Sequence, residues 1–288
     1  MVRKDYLVCV DSDGCAMDTM NSKHEQCFGP AMVEIWGLEE KREEVLECWN
    51  RVNLFSETRG INRFLALCMV LEEAGAACVQ DGYNEFKEWT RHTRELSSDS
   101  LKQWMKDHDT NCCRKACDWS ALVNEKISRM PKEENKSFPG VLRTLKEIHK
   151  AADIAVVSSA NKGAVTEEWE REGLLPHVDL VMTQENGSKS ECIRELLGMG
   201  YEPGHVLMAG DAPGDLKAAR ENGVLFYPIL AKKEEASWKE MGDQVLSAFL
   251  NGTYGICMEQ EAEAAFHSNL QMLSRDGQDE GRDDSRNP

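Results

Sequence analysis

No apolar run in the 288-residue chain approaches the roughly 18 unbroken residues of a membrane-spanning helix, which argues against that architecture. The opening residues, MVRKDYLVCV, lack a long apolar stretch ending in a small-residue cleavage site. No secretion signal is read there, and a cytoplasmic location is expected. Basic charge is also scarce: 34 Lys and Arg stand against 51 Asp and Glu, a net charge of −17. That balance argues against a nucleic acid or an anionic membrane as partner, while leaving room for a local basic pocket that takes an anionic substrate. Cysteine, by contrast, is plentiful at eleven residues. In a reducing compartment these are expected as free thiols, several of them (Cys9, Cys68) lying in apolar runs where Cys acts as a small hydrophobe. The apolar fraction of 41% is ordinary, and the length suffices for one large core and a second, smaller lobe.

From Asp153 onward, strand-like and helix-like segments alternate. DIAVVSS, HVDLVMT, GHVLMAG and VLFYPIL read as strands, and NKGAVTEEWEREG, SKSECIRELLGMG and APGDLKAARENG as helices, two of them closed by Gly173 and Gly223. Such alternation indicates βαβ units and a parallel sheet. The strands are short apolar runs without period-two alternation, as expected when both sheet faces are covered, and YLVCV at Tyr6–Val10 has the same character. Between about Thr19 and Lys136 the strand signal vanishes. INRFLALCMVLEEAG places Phe64, Leu65, Cys68 and Leu71 on one helical face, and LEEKREEVLECWNRVN, SLKQWMKDH and SALVNEKISRM also read as helices. SFPGVLRTLKEIHK, with Pro139 near a helix start, carries the chain back to the sheet. After Ala231, KKEEASWKEMGDQVLSAFLNG reads as an amphipathic helix, a shorter helix follows near Glu259 to Leu273, and SRDGQDEGRDDSRNP is expected to be unstructured. The expected class is therefore α/β, a doubly wound, Rossmann-like parallel sheet with an inserted all-α domain. The core is expected at residues 1–18 and 137–257, the helical insertion at 19–136, and a C-terminal helix with an acidic tail at 258–288.

In an open parallel sheet, ligands bind at the carboxyl ends of the strands. The first strand delivers Asp11-Ser-Asp13-Gly14-Cys15 to that edge, DIAVV delivers Ser158 and Ser159, VDLVMT is followed by Lys189, and GHVLMA by Gly210-Asp211-Ala-Pro-Gly-Asp215. A lone D-x-D-G is more simply an acidic turn. A calcium loop fails, because it wants Gly at its sixth position and Glu at its twelfth, where Ala16 and Ser22 stand. Carboxylates crowded at one edge repel, and a hard divalent cation removes that cost; Mg²⁺ is typically held by one or two carboxylates, waters and a substrate phosphate. Lys189 supplies a point charge for further anionic oxygens, and Ser158 with the amides after it forms a phosphate seat. One aspartate can then attack as a nucleophile while the second moves the proton, provided the chain leaves extended geometry at Ser12. Plainer roles exist for each partner: a helix N-cap for Ser158 or Ser159, a solvated helix residue for Lys189 and a first-turn acid for Asp215. Asn161 reads as a polar residue at a helix start rather than a substrate contact.

This ordered set resembles the haloacid dehalogenase superfamily, in its phosphatase branch. That family carries D-x-D after its first strand, Ser or Thr after the second, a distant Lys, and G-D-x-x-x-D after the fourth. Here these are Asp11-Ser-Asp13, Ser158, Lys189, and Gly210-Asp211 with Asp215. The resemblance implies that Asp11 is the phosphorylated nucleophile and a Mg²⁺ ligand. It makes Asp13 the general acid and base with its backbone carbonyl on the metal, Ser158 the phosphate-binding hydroxyl, and Lys189 the charge-neutralising residue. Asp211 and Asp215 become a direct ligand and a partner of a metal-bound water or of the lysine. The helical insertion resembles the family's mobile cap, which closes over the site and selects the substrate. Because Asp13 is present, phosphate-ester hydrolysis or phosphomutase chemistry is expected rather than dehalogenation. The expected substrate is a small soluble phosphate ester; a phosphosugar mutase, or a non-catalytic binding protein on the same fold, are the alternatives. In ETRGINRF, Arg59, Asn62 and Arg63 gather near Gly60, either to touch the non-reacting part of the substrate or as a solvated helix start. CCRKAC, Cys112 to Cys117, matches no C-x-x-C zinc pair and reads as helix thiols.

Overall fold

The computed structural model describes residues 4–75, 81–93, 95–131 and 135–283, with side chains except at 256 and 276–283. Two compact units are present, Met1–Met20 with Lys132–Met272 and Asn21–Pro131 with Leu273–Pro288.

The first unit is built on a five-stranded parallel sheet of β1 (Leu7–Val10), β4 (Asp153–Val157), β5 (Leu180–Met182), β6 (Val206–Gly210) and β7 (Leu225–Pro228). Its order is β5-β4-β1-β6-β7. The chain thus winds outward from β1 on one side, returns across it, and winds outward on the other. Strand order reverses beside β1, the point at which open parallel sheets take ligands at their strands' carboxyl ends. β1 pairs Val10 with Val156 of β4 and with Ala209 of β6, so the residues that follow these three strands emerge at one level.

Alternate strand residues face opposite layers, and both layers are apolar. Val8, Val10, Ile154, Val156 and Leu207 pack with Leu145 and Ile148 of α8 (Val141–Ala151), with Trp169 of α9 (Lys162–Arg171), and with Trp238 and Phe249. Leu7, Cys9, Ala155, Val157 and Met208 face Ile193 and Leu196 of α10 (Lys189–Gly198), Ala219 of α11 (Pro213–Asn222), and Phe266 and Leu270 of α14 (Ile256–Asp283). This double coverage explains why the strands read as unbroken apolar runs, each fully buried side chain contributing about 1.5–3 kcal/mol. Edge strand β7 is closed by α14: Glu259 Oε1 accepts from the backbone N–H of Phe226 (2.8 Å) and from Arg220 Nη1 (2.9 Å).

A two-stranded antiparallel ribbon, β2 (Met17–Asp18) with β3 (Lys136–Ser137), which the sequence pattern does not suggest, lies where the chain leaves and re-enters this unit. α14 also differs from expectation: it is one helix through Asp283, reaching past Leu273 where the tail was expected to be unstructured. Its Phe266, Asn269 and Leu270 are buried, and extending an anchored helix costs far less than nucleating one. Residues 284–288 of that expected tail lie outside the described residues. The segment after Ala231 forms α12 (Glu234–Glu240), a π-helical turn at Met241–Val245 and α13 (Leu246–Leu250).

The second unit is helical. It holds a π-helical turn at His24–Phe28, continuous with α1 (Met20–Lys23), then α2 (Gly29–Trp36), α3 (Arg42–Leu54), α4 (Arg63–Ala74), α5 (Tyr83–His92), α6 (Ser98–Trp104) and α7 (Asn111–Ser128). Its core is aromatic: Phe28, Trp49 and Trp119 meet with ring centroids 5.6–6.0 Å apart, and Phe64 stands edge-on to Trp89 at 5.1 Å. α2 and α5 are helices that sequence pattern did not single out. Among the described residues no helix is long and apolar enough to cross a membrane.

Candidate active site

β1 extends its pairing one residue further, the N–H of Asp11 donating to the Ala209 carbonyl (3.0 Å). The chain then turns sharply. The Ser12 carbonyl accepts from the amides of Cys15, Ala16 and Met17 at 3.3, 3.0 and 2.8 Å, and Gly14 takes a φ of 80°, open to glycine at little cost. Ser12 is fully buried, and its hydroxyl accepts from Trp169 Nε1 (2.9 Å). The middle residue of D-S-D is thus pinned into the hydrophobic layer. Asp13 is partly exposed, and the buried Thr19 hydroxyl donates to its Oδ1.

Asp211 follows β6 and is fully buried, as is Asp215 in the first turn of α11. Asp215 Oδ2 accepts from the Ala212 amide (3.1 Å), fixing the carboxylate against its own helix start, where Pro213 takes a position that needs no donor. Gly210 is required here by space: a Cβ on it would lie 2.3 Å from the Asp215 carboxyl carbon. Lys189, the first residue of α10, reaches Asp11 Oδ1 at 2.9 Å and Asp215 Oδ1 at 2.5 Å, its side chain only 14% exposed.

Asp11, Asp211 and Asp215 each offer a carboxylate oxygen, and all three lie within 4.8 Å of one another, the one such group among the described residues. Three carboxylates against one ammonium leave two negative charges in a buried space, which a hard divalent cation matches in charge and in ligand type. The donor set therefore fits such an ion. Asp13 is not in the group. Burial drives the Asp11 carboxyl well above the usual carboxylate range, with Asp215 and Asp211 adding to the effect and Lys189 opposing it. For Lys189, burial acts to lower the ammonium's pKa, but Asp11 and Asp215 outweigh it and hold the group firmly charged.

Ser158 ends β4 buried, its hydroxyl accepting from the Ala160 amide (3.1 Å); Ser159 is exposed. Neither caps the following helix. Asn161 does, its Oδ1 accepting from the Ala164 amide (2.9 Å). Arg59, Asn62 and Arg63 belong to the helical unit. Arg59 is 2% exposed with Nη1 on the Leu54 carbonyl (2.8 Å), and Asn62 is the N-cap of α4, accepting from the Phe64 amide (2.9 Å). Arg63 lies over the Phe28 ring at 4.9 Å and donates to Asn124 Oδ1 (2.9 Å). Cys112, Cys113 and Cys117 sit on α7, the first two buried. Cys15 is buried beside the acids, its thiol donating weakly to the Ala209 carbonyl (3.5 Å); burial, then Asp211, Asp11 and Asp215, keep it protonated. It fills space as a neutral group. Thr19 and Trp169 are the two site-shaping residues that motif reading misses, since a hydroxyl six positions after Asp13 and a tryptophan 157 positions from Ser12 carry no spacing signal.

The family model for haloacid dehalogenase-like hydrolases matches residues 71–229, a little over half of the chain, beginning beyond Asp11 and Asp13. A provisionally named phosphoglycolate phosphatase from Lactobacillus delbrueckii subsp. bulgaricus shares 13% identity over 88% of this chain and 100% of that one, with a TM-score of 0.51. A provisionally named beta-phosphoglucomutase from Thermotoga maritima shares 16% identity over 85% of this chain and 97% of that one, with a TM-score of 0.45. At 13% identity the likeness to the first of these is one of fold. No curated protein matches the chain.

Proposed function

The chain belongs to the haloacid dehalogenase-like hydrolase family, and from that membership we propose that it hydrolyses a small-molecule phosphate monoester, with Mg²⁺ as cofactor and a phosphorylated Asp11 as intermediate. The observation that carries this reading is the buried trio Asp11, Asp211 and Asp215 with Lys189 bridging Asp11 and Asp215 at 2.9 and 2.5 Å. Asp11, Asp211 and Asp215 would hold the ion, with the Asp13 backbone carbonyl as a further ligand. When bound, the ion would polarise phosphoryl oxygens and offset their charge.

The chain's own groups divide the remaining work. An Asp11 oxygen attacks phosphorus, and the bond from phosphorus to the ester oxygen breaks. Asp13 gives that leaving oxygen its proton, and later takes one from the water that releases phosphate from Asp11. Thr19, donating to Asp13 Oδ1, holds that carboxyl in orientation. Lys189 offsets charge on the phosphoryl oxygens, and Asp215 keeps the ammonium in place. Ser158 supplies a hydroxyl at the end of β4, and Ser159 beside it is the second candidate phosphate contact. Asp13 favours ester hydrolysis over dehalogenation, since only an alkoxide leaving group needs a proton. The free, buried thiols of Cys9, Cys68 and Cys112 suit a reducing compartment, and a cytoplasmic location belongs to the same proposal.

The test is a panel of small phosphate esters assayed with and without Mg²⁺, with Asp11→Asn alongside. Cation-dependent release of inorganic phosphate, abolished in Asp11→Asn, is expected; an isomerised sugar phosphate would indicate a mutase instead. Substantial turnover by Asp11→Asn would overturn the mechanism.

A further inference from the structure

In the helical unit a half-buried guanidinium has, among the described residues, no carboxylate partner. Arg63 Nη1 donates to Asn124 Oδ1 (2.9 Å) and Ser120 Oγ (3.4 Å), and the group lies over the Phe28 ring. Both acceptors are neutral. The chain has 51 carboxylate side chains, yet among the described residues none comes within 4.0 Å of Arg63. By contrast Arg51 and Arg114 of the same unit carry Glu73 at 2.6 Å and Asp109 at 2.9 Å. Burial lowers the Arg63 pKa from its ordinary value. Its place in the chain adds to the cost, because it is the first residue of α4, and the positive end of a helix repels a cation.

The neighbours supply donors rather than acceptors. Among the described residues, Arg63 Nε and Nη2 and the Asn124 amide nitrogen donate to nothing. Ser98 and Ser120 hydroxyls share one hydrogen bond at 3.0 Å, which leaves the second hydroxyl hydrogen available. Ser120 and Asn124 stand one turn apart on α7, and Ser98 opens α6, so three helices hold the cluster. Asn124 is exposed and Arg63 half-buried, so a ligand can enter from solvent.

We propose that Arg63, Ser98, Ser120 and Asn124 form an oxyanion site of the helical unit, one that takes a carboxylate or phosphate group. The planar guanidinium fork and the flanking amide and hydroxyl donors match the two or three oxygens of such a group. The occupant is a small free anion taken up by the helical unit itself.

Asn124→Asp tests this directly. It is nearly isosteric and places a carboxylate on the guanidinium, filling the site from within. In the full-length, cation-free protein, the Arg63 Nε–H resonance, assigned by its loss in Arg63→Gln, is followed while inorganic phosphate or succinate is added across the millimolar range. A saturable shift in the wild type that is lost in Asn124→Asp is expected. No saturable shift with either probe, or a shift unchanged in Asn124→Asp, overturns the proposal.

Discussion

Replacing Lys189 by Met removes the one ammonium from the buried acid trio while keeping a similar unbranched side chain. At the observed 2.9 Å from Asp11 and 2.5 Å from Asp215, gross attraction at an effective dielectric near 20 is about 6 kcal/mol per contact, much of it offset by the ammonium's own desolvation. Removing one partner of a buried ion pair costs about 3–5 kcal/mol, because the carboxylates left behind must either stay charged and dry or take up a proton. Asp11 and Asp215 side chains are only 7% and 0% exposed, so water cannot take over that role. For a chain of this size each kcal/mol moves Tm by about 2–4 °C, giving an expected fall of about 10 °C. Thermal unfolding followed by circular dichroism in a chelating buffer reads the effect. Added Mg²⁺ should recover part of it, since a dication offsets the same carboxylates, while phosphatase turnover stays lost. Equal Tm values for wild type and Lys189→Met in chelator would refute the reasoning.

Three further outcomes follow from the same geometry. The folded chain binds the Asp11 proton more tightly than the unfolded chain, whose carboxyl titrates near 3.8. That stabilisation is full below about pH 4 and is lost as pH rises through the raised folded value. In chelator, wild type should therefore lose Tm relative to Asp11→Asn as pH rises, and saturating Mg²⁺ should close the gap; a pH-independent difference contradicts this. Thr19→Val removes the donor to Asp13, and a lost hydrogen bond to a charged group, about 1.5–3 kcal/mol, should lower kcat by about tenfold or more on alkyl phosphates. The loss should be smaller on p-nitrophenyl phosphate, whose leaving group needs little protonation, so equal losses on both would count against Thr19 orienting a general acid. Trp169→Phe should destabilise the first unit by about 1 kcal/mol through the vacated Ser12 hydroxyl, read as a shift in denaturant midpoint.

The parallel sheet was legible because its strands are buried on both faces and its helices end in clear signals such as Gly223, whose φ is 66°. The acid trio was legible for the same reason: short connections leave Asp11, Asp211 and Asp215 no choice but the edge where β1 and β6 end. Cooperation between distant side chains was not legible. That Ser12 is held by Trp169 depends on packing between segments far apart in sequence, and that Gly210 makes room for Asp215 depends on the shape of the turn between them. The helical unit was legible only as helices. Arg59, Asn62 and Arg63 look alike as a polar group near Gly60, but one is buried on a carbonyl, one caps a helix, and one is a cation with no carboxylate partner among the described residues.

The central claim is that Asp11 carries the phosphoryl group. Wild-type protein with Mg²⁺ and a turned-over phosphate ester, quenched in acid within a single turnover and mapped by peptide mass spectrometry, should show a phosphoryl adduct on Asp11. Turnover with no adduct on Asp11, or an adduct on another residue that persists in Asp11→Asn, would contradict the account.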